Sequence, residues 1–428
     1  MAVNTSADTH PLPRRSLLIA ALSTVVEWYD FTLYLYFATV LSRVFFGGGA
    51  ASVATTLGGF AVAYLLRPIG AVVFGHVGDR WGRRRAMLWS MALMSVAMLA
   101  TALLPTYAAI GSAAGWLLLA LRCVMGFSVG GEYTGVVAYL LEGARPGRRG
   151  LIVSCASAAS EVGGLLAVGV SAACVHLLPE AALAAWGWRV PFLVGAALAG
   201  TVWIARSWMD ESPEFARQVA AGTAPAAPLA HALAHHRAGI ARSFAISALG
   251  SISYYVGIAY VPTFLTSAGS LGEGTALWLS TAAAVVVIAV TPVVGLWSDR
   301  VGRRPVLLAL GGACAVLPVT LFSWMAGGAA GPALAGAVTL AALAGGVSAV
   351  GAVATAEQFP GEGRLTGLAL GATGATALFG GLTPWLAQAL IGRTGSPLAP
   401  GAMIAVVAVA VLPVLWWAPE TRPASALD

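Results

Sequence analysis

Two carboxylates stand three residues apart in the otherwise apolar stretch VVEWYDFTLY, residues 25–34. Glu27 and Asp30, at i and i+3, share one helix face, and Ser23 and Tyr34 extend that face into a polar stripe. If the helix begins near Leu17, the pair lies ~15–20 Å along the axis at 1.5 Å per residue, close to mid-bilayer. Ionisable groups at that depth are costly and face a cavity or one another. A carboxylate there trades a proton against a cationic partner, which is what a proton-coupling site requires. Arg122 is the cation at comparable depth, and it keeps its charge at any relevant pH. It pairs with a deprotonated carboxylate or, once released, takes a substrate carboxylate through a charge-assisted bidentate bond. Glu132, in GGEYTG, lies one or two turns nearer the end of the same segment, and Glu161, in SCASAASEVGG, shares an inward face with Ser154, Ser157 and Gly164. Glu161 reads as a second proton site or as a ligand for a cationic substrate group; the sequence leaves both open.

Such residues need an apolar scaffold, and the composition supplies one. The chain has 428 residues, 59% hydrophobic and 9% charged, with a mean hydropathy of +0.84. A soluble domain is about a quarter charged, so the chain reads as an all-α polytopic membrane protein. The net charge of +6 is carried by arginines in loop clusters, which points to membrane topology and away from nucleic acid. An apolar helix needs ~20 residues to cross the hydrocarbon core. Stretches of that kind fall at 17–45, 52–75, 86–104, 110–141, 150–178, 188–206, 243–268, 275–297, 305–325, 332–356, 365–391 and 399–418, twelve in all. Arg14-Arg15 stand before roughly thirty mostly apolar residues, too long a run for a cleaved signal, so the first span is expected to stay in the membrane. Arginines gather before span 1, between spans 2 and 3, after span 4, around the central loop and after span 8. That distribution puts both termini in the cytoplasm.

The expected organisation is a cytoplasmic tail over 1–16, a six-helix bundle over 17–206, a linker over 207–242, a second six-helix bundle over 243–418 and a tail over 419–428. The linker is rich in Ala, Pro and Gly and suits a short surface helix. His231 and His235 at i, i+4 would suit a metal pair, but no acidic or thiol group nearby completes a site, so no metal is expected. Cys123, Cys155, Cys174 and Cys314 form no CxxC pair and read as small buried apolar residues.

The halves echo one another. GHVGDRWGRRRAML (75–88) is matched by GLWSDRVGRRPVLL (295–308), LEGARPGRRG (141–150) by AEQFPGEGRLTG (356–367), and Glu211-Ser212 by Glu420-Thr421. Three landmarks in the same order describe two pseudo-symmetric bundles, and parallel repeats of this kind build alternating-access transporters with a site at the bundle interface.

The doubled G-x-x-x-D-R-x-G-R-R loop resembles the hallmark of the major facilitator superfamily. Within it, EWYDFTLY, RPIGAVVFGHVGDRWGRR, RCVMGFSVGGEYTG and AEQFPGEGRLTG resemble the metabolite:proton symporter family. The likeness covers nearly the whole chain. It implies proton-driven import of a small polar metabolite, either a di- or tricarboxylate, an oxo acid or shikimate-like acid, or a zwitterionic osmolyte. It also implies a gate in the loops: Asp79 and Arg83 with Glu142 and Arg149, and Asp299 and Arg303 with Glu357 and Arg364, would hold the cytoplasmic side shut.

The resulting expectation is a proton-coupled symporter of the cell membrane, working as a monomer and drawing on the proton gradient with no cofactor. Proton coupling falls to Asp30, Glu27, Glu132 and Glu161, and substrate binding to Arg122, Tyr34, Ser157, Tyr254, Tyr255 and Thr376. The hydroxyl stripes containing Ser251, Tyr254, Tyr255 and Thr376 suit hydrogen bonding to substrate and, equally, helix packing. Arg67, next to Pro68, reads as a snorkelling or gate residue. An excess of buried acids over Arg keeps open an antiporter that expels an amphipathic or cationic compound. A transporter-like solute sensor is the reading from another class, and no HExxH, GxSxG or P-loop motif supports an enzyme.

Overall fold

The computed structural model describes residues 12–48 and 50–422, and among them every regular element is helical. The main helices are α1 (Arg14–Tyr36), α2 (Ala38–Phe46), α3 (Ala50–Tyr64), α4 (Arg67–Trp81), α5 (Arg83–Ala102), α6 (Ala113–Gly130), α7 (Glu132–Gly143), α8 (Arg149–Leu177) and α9 (Arg189–Ser207). The short α10 (Pro213–Ala221) and α11 (Pro228–His235) follow, then α12 (Arg237–Tyr254), α13 (Val261–Ser267), α14 (Glu273–Val301), α15 (Arg303–Ala326) and α16 (Ala330–Glu357). The chain ends with α17 (Arg364–Leu368), α18 (Gly374–Phe379), α19 (Thr383–Thr394) and α20 (Ala399–Trp417).

Among the described residues, ten helices are long and apolar enough to cross a membrane, and α12 with α13 makes an eleventh if their 44° bend lies within one span. Helix occupies all twelve stretches expected from the sequence. Several are interrupted, the first between α1 and α2 and the fourth between α6 and α7 among them, and the second is split into two 15-residue pieces, α3 and α4. The break falls at Leu65-Leu66, just before Pro68 in the first turn of α4. Proline lacks the N–H that a continuous helix would use and clashes with the preceding turn, so the chain starts a new helix there.

Three large cores and a small cluster of Ala283, Val287 and Ala341 hold these helices. One is built from residues between Val26 and Ala199, another from residues between Ile246 and Leu415. The third joins Val136–Leu141 of α7 to Val353, Phe359, Leu365 and Leu368, so it links the two halves of the chain. In the first half, α4 lies against α6 at very short range: a Cβ on Gly130 would sit 2.1 Å from the Arg67 carbonyl oxygen. Only glycine allows that approach, and it fixes where Arg67 leaves the backbone.

The two repeated loops end in matched geometry. Gly82 and Gly302 both have φ of +112°, a conformation that L side chains avoid. The carboxylate of Glu211 accepts the Arg84 N–H, and that of Glu420 accepts the N–H groups of Arg303 and Arg304. The third sequence echo is thus a pair of acidic caps that return from the end of each half to the starts of α5 and α15, where the helix dipole favours negative charge.

Candidate functional site

Helices from both halves enclose a cavity of about 170 Å³. Its charged lining residues are Glu27, Arg67 and Glu161, accompanied by Trp28, Tyr64, Ser157, Tyr254, Tyr255 and Thr376. Four of the six expected substrate contacts, Ser157, Tyr254, Tyr255 and Thr376, therefore meet here. Tyr254 donates its hydroxyl hydrogen to Glu161 at 2.6 Å, Ser157 lies 3.1 Å from the Tyr133 hydroxyl, and Ser251 lies 2.9 Å from Thr376. The Tyr64 and Tyr255 hydroxyls meet at 2.6 Å across the two halves.

Arg67 departs from its sequence reading. The helix break puts it at the cavity wall, with its guanidinium 5.2 Å from the Phe31 ring centre and 4.6 Å from that of Tyr64. Its ion pair with Glu27 is 3.7 Å long, outside hydrogen-bond range. The other Glu27 oxygen, Oε2, is buried and makes no hydrogen bond. Sequence reasoning judged Arg67 by its nearness to Pro68 and missed that Pro68 is what turns it inward.

Arg122 and Tyr34, the other two expected contacts, do not line the main cavity. They border a second cavity of about 30 Å³, together with Glu27, Asp30 and Arg67. Asp30 holds Arg122 there through Nη1, at 3.0 and 2.8 Å from its two carboxylate oxygens. The Tyr34 ring lies 5.3 Å from the guanidinium carbon, and the Tyr34 hydroxyl donates to the Thr56 carbonyl. The Asp30–Arg122 pairing expected from depth is therefore present, one step removed from the larger space.

Glu132 is already fully occupied. Arg206 pairs with both of its oxygens and also reaches Ser23 and, at 2.6 Å, the Met87 carbonyl, while Ser90 donates to the same carboxylate at 2.7 Å. Both members of the pair are buried. Glu132 lines neither cavity; its contacts tie α1, α5, α7 and α9 together. Arg206 was overlooked because it follows an apolar run and looks like one more loop arginine.

The Arg-rich ends form a crossed set of contacts. Asp79 accepts the N–H groups of Leu365 and Thr366 at 3.2 and 2.9 Å. Asp299 accepts those of Gly150 and Leu151 at 2.8 and 2.9 Å. Each aspartate thus caps a helix start in the opposite half. Arg83 pairs with Asp79 and Glu142, and Arg303 with Asp299 and Glu357. Two expected pairings change. Arg364 crosses to Glu142 at 2.7 Å instead of pairing with Glu357. Arg149 makes no ion pair within 4 Å among the described residues, because Arg83 and Arg364 already hold Glu142. The three linker histidines cluster, with His231 and His235 stacked at 4.6 Å, and no metal-binding group of three was found among the described residues.

Comparison with known proteins places this architecture. The family model described as sugar (and other) transporter matches residues 16–231, and that of the major facilitator superfamily matches residues 253–428. The chain is 34% identical over 391 residues to an alpha-ketoglutarate permease of Escherichia coli, covering 90% of this chain and 89% of that protein. It is 33% identical over 431 residues to an ectoine/proline transporter of Corynebacterium glutamicum, covering 95% and 85%. A citrate-proton symporter of Klebsiella pneumoniae is 31% identical over 414 residues, with 92% and 89% covered. The fold matches that of a proton:xylose symporter with a TM-score of 0.77 at 20% identity, covering 96% of each chain. With a family model over half its length and relatives above 30% identity along almost all of it, the chain belongs to the major facilitator superfamily, among its metabolite:proton symporters, and is a multi-pass transporter of the cell membrane and not an enzyme.

Proposed function

We propose that this protein imports a small carboxylate-bearing metabolite with protons by alternating access. Twelve spans, with α3 and α4 counted as one and α12 with α13 as another, form two pseudo-symmetric six-helix bundles over 17–206 and 243–418. Both termini, the tails 1–16 and 419–428 and the linker 207–242 are cytoplasmic, and the crossed contacts of Asp79, Arg83, Glu142, Arg364, Asp299, Arg303 and Glu357 form the cytoplasmic gate. The separate cores of the two halves and the chain's Arg asymmetry support that arrangement.

The observation that carries the coupling is the buried Asp30–Arg122 pair bordering a space continuous in its lining residues, Glu27 and Arg67, with the larger cavity. Protonation of Asp30 releases Arg122, whose charge then acts on Glu27 and Arg67 and so on the substrate carboxylate held at Arg67. A 30 Å³ space admits a water molecule, enough to pass a proton from Glu27 to Asp30. The proton gradient is the sole energy source, no cofactor takes part, and the monomer is the working unit. The relatives that transport alpha-ketoglutarate, citrate, proline and ectoine all have substrates bearing a carboxylate, which supports the substrate class.

The test is substrate-evoked current from purified protein in liposomes adsorbed on a supported membrane. Asp30→Asn is expected to abolish proton-driven accumulation while keeping substrate exchange between compartments. Accumulation that survives in Asp30→Asn would end the assignment of Asp30 as the coupling residue.

A further inference from the structure

Four aromatic residues of the main cavity, Trp28, Tyr64, Tyr254 and Tyr255, close into a ring with Phe31 of the smaller one, and the ring spans both halves. Trp28 lies 5.2 Å from Phe31, Phe31 6.2 Å from Tyr64, Tyr64 6.1 Å from Tyr255, Tyr255 5.6 Å from Tyr254, and Tyr254 5.2 Å from Trp28. A cation over such faces is attracted by the ring quadrupoles. One end of the ring already has a cation, since Arg67 sits over Phe31 and Tyr64. The other end, Trp28 and Tyr254, has a carboxylate: Glu161 accepts the Tyr254 hydroxyl hydrogen and is 7% exposed, with no ion pair among the described residues.

The charge inventory separates the two substrate classes left open above. Two carboxylates and one guanidinium line the cavity. A di- or tricarboxylate would bring two or three further negative charges to a single arginine that Glu27 already offsets. A zwitterion brings one carboxylate for Arg67 and one cation for Glu161. Trp28 adjoins Phe31, over which Arg67 sits, and its buried indole N–H has no hydrogen-bond partner among the described residues, a second donor suited to a carboxylate oxygen.

We propose that Glu161, Trp28 and Tyr254 form a subsite for a substituted ammonium group, and that the substrate is a small zwitterion whose carboxylate rests at Arg67. This rests on the transporter reading and narrows its substrate.

The test is equilibrium binding to the purified full-length protein, without any proton gradient. The probes are glycine betaine, L-proline, 3,3-dimethylbutanoate (the isostere of glycine betaine with a neutral carbon in place of the ammonium nitrogen), 2-oxoglutarate and citrate. Glycine betaine or proline is expected to bind at least about tenfold more tightly than 3,3-dimethylbutanoate and than either polyacid, as a charge-assisted contact implies. Glu161→Gln should remove that preference and Glu161→Asp should restore part of it. If Glu161→Gln does not fold, Trp28→Leu carries the same expectation. Tighter binding of 2-oxoglutarate or citrate, no binding of either zwitterion, or a preference unchanged in Glu161→Gln or Trp28→Leu would overturn the subsite. Zwitterion binding without proton-linked uptake would leave the subsite standing and defeat the symport reading; proton-linked uptake of a polyacid would do the reverse.

Discussion

The two Arg-rich loops have nearly the same residues but are wired differently. In the second half, Arg303 gathers Asp299 and Glu357 within its own half, and Thr421 donates to the same glutamate. In the first half, Arg83 gathers Asp79 and Glu142, but Glu142 is also taken by Arg364 from the other half, and Arg83 donates to the Gly361 carbonyl there. Both clusters cap a helix of the opposite half through their aspartates, but only the first is also bridged by an ion pair between the halves. The difference lies in one arginine: Arg149 has the place in its half that Arg364 has in the other and yet makes no ion pair among the described residues. Repeated sequence therefore gives repeated caps but only one charged bridge.

The largest expected effect follows from breaking that bridge. Glu142→Gln leaves Arg364 without its counter-charge and Arg83 with one instead of two. Removing one partner of a buried pair costs about 3–5 kcal/mol, here charged against the closed state. Spin labels at Arg80 and Arg300, in a variant whose four cysteines are replaced, should show a marked shift to longer distances. Glu357→Gln should move that distribution much less; equal shifts would erase the contrast between the clusters. Where the loops are alike, the effects should be alike. Gly82→Ala and Gly302→Ala each force a side chain into positive φ, at about 1–2 kcal/mol, and each new Cβ would press on the Glu211 or Glu420 cap. Thermal melts should fall by similar amounts, and a large disparity would mean that one cap is not engaged.

The smallest effect is a pH dependence confined to the bridging side. His236 packs near Phe359 and Gly363, beside Arg364, and burial together with its neighbour His231 holds its pKa below the usual 6.5. The fold therefore favours its neutral ring. Its stabilising contribution is present above pH ~6.5 and is lost as the pH falls from there through its lowered value. Hydrogen exchange over 228–236, corrected for intrinsic rate, should quicken on acidification, and His236→Gln should flatten that response.

Much of this was legible in the chain. That Arg122 pairs with a carboxylate of the first span follows from depth, because opposite charges at one level of a bilayer have few other partners; that it takes Asp30 and leaves Glu27 to Arg67 does not. The loop repeats announced matched turns, and Glu211 and Glu420 were visible as echoes before their capping role was. What escaped were contacts fixed by a change of direction or by a distant helix. Arg67 depends on the break that Pro68 imposes, and Arg206 on α9 bringing its last turn back to Glu132. The exchange of Arg364 for Arg149 depends on how the halves meet, which no local pattern encodes. Among the cysteines, Cys123 and Cys155 are half-buried instead of fully enclosed, since the outer faces of a membrane helix need no core.

The break between α3 and α4 has one further consequence. Arg67 begins α4 and Asp79 lies in its last turn, twelve residues and about 18 Å apart on a single unbroken rod. The joint at Leu65-Leu66 frees that rod from α3. A pull on the guanidinium is then delivered along a stiff lever to the carboxylate that caps α17. In the proposed transport cycle, what the cavity holds and whether the far side is shut become two readings of the position of one helix.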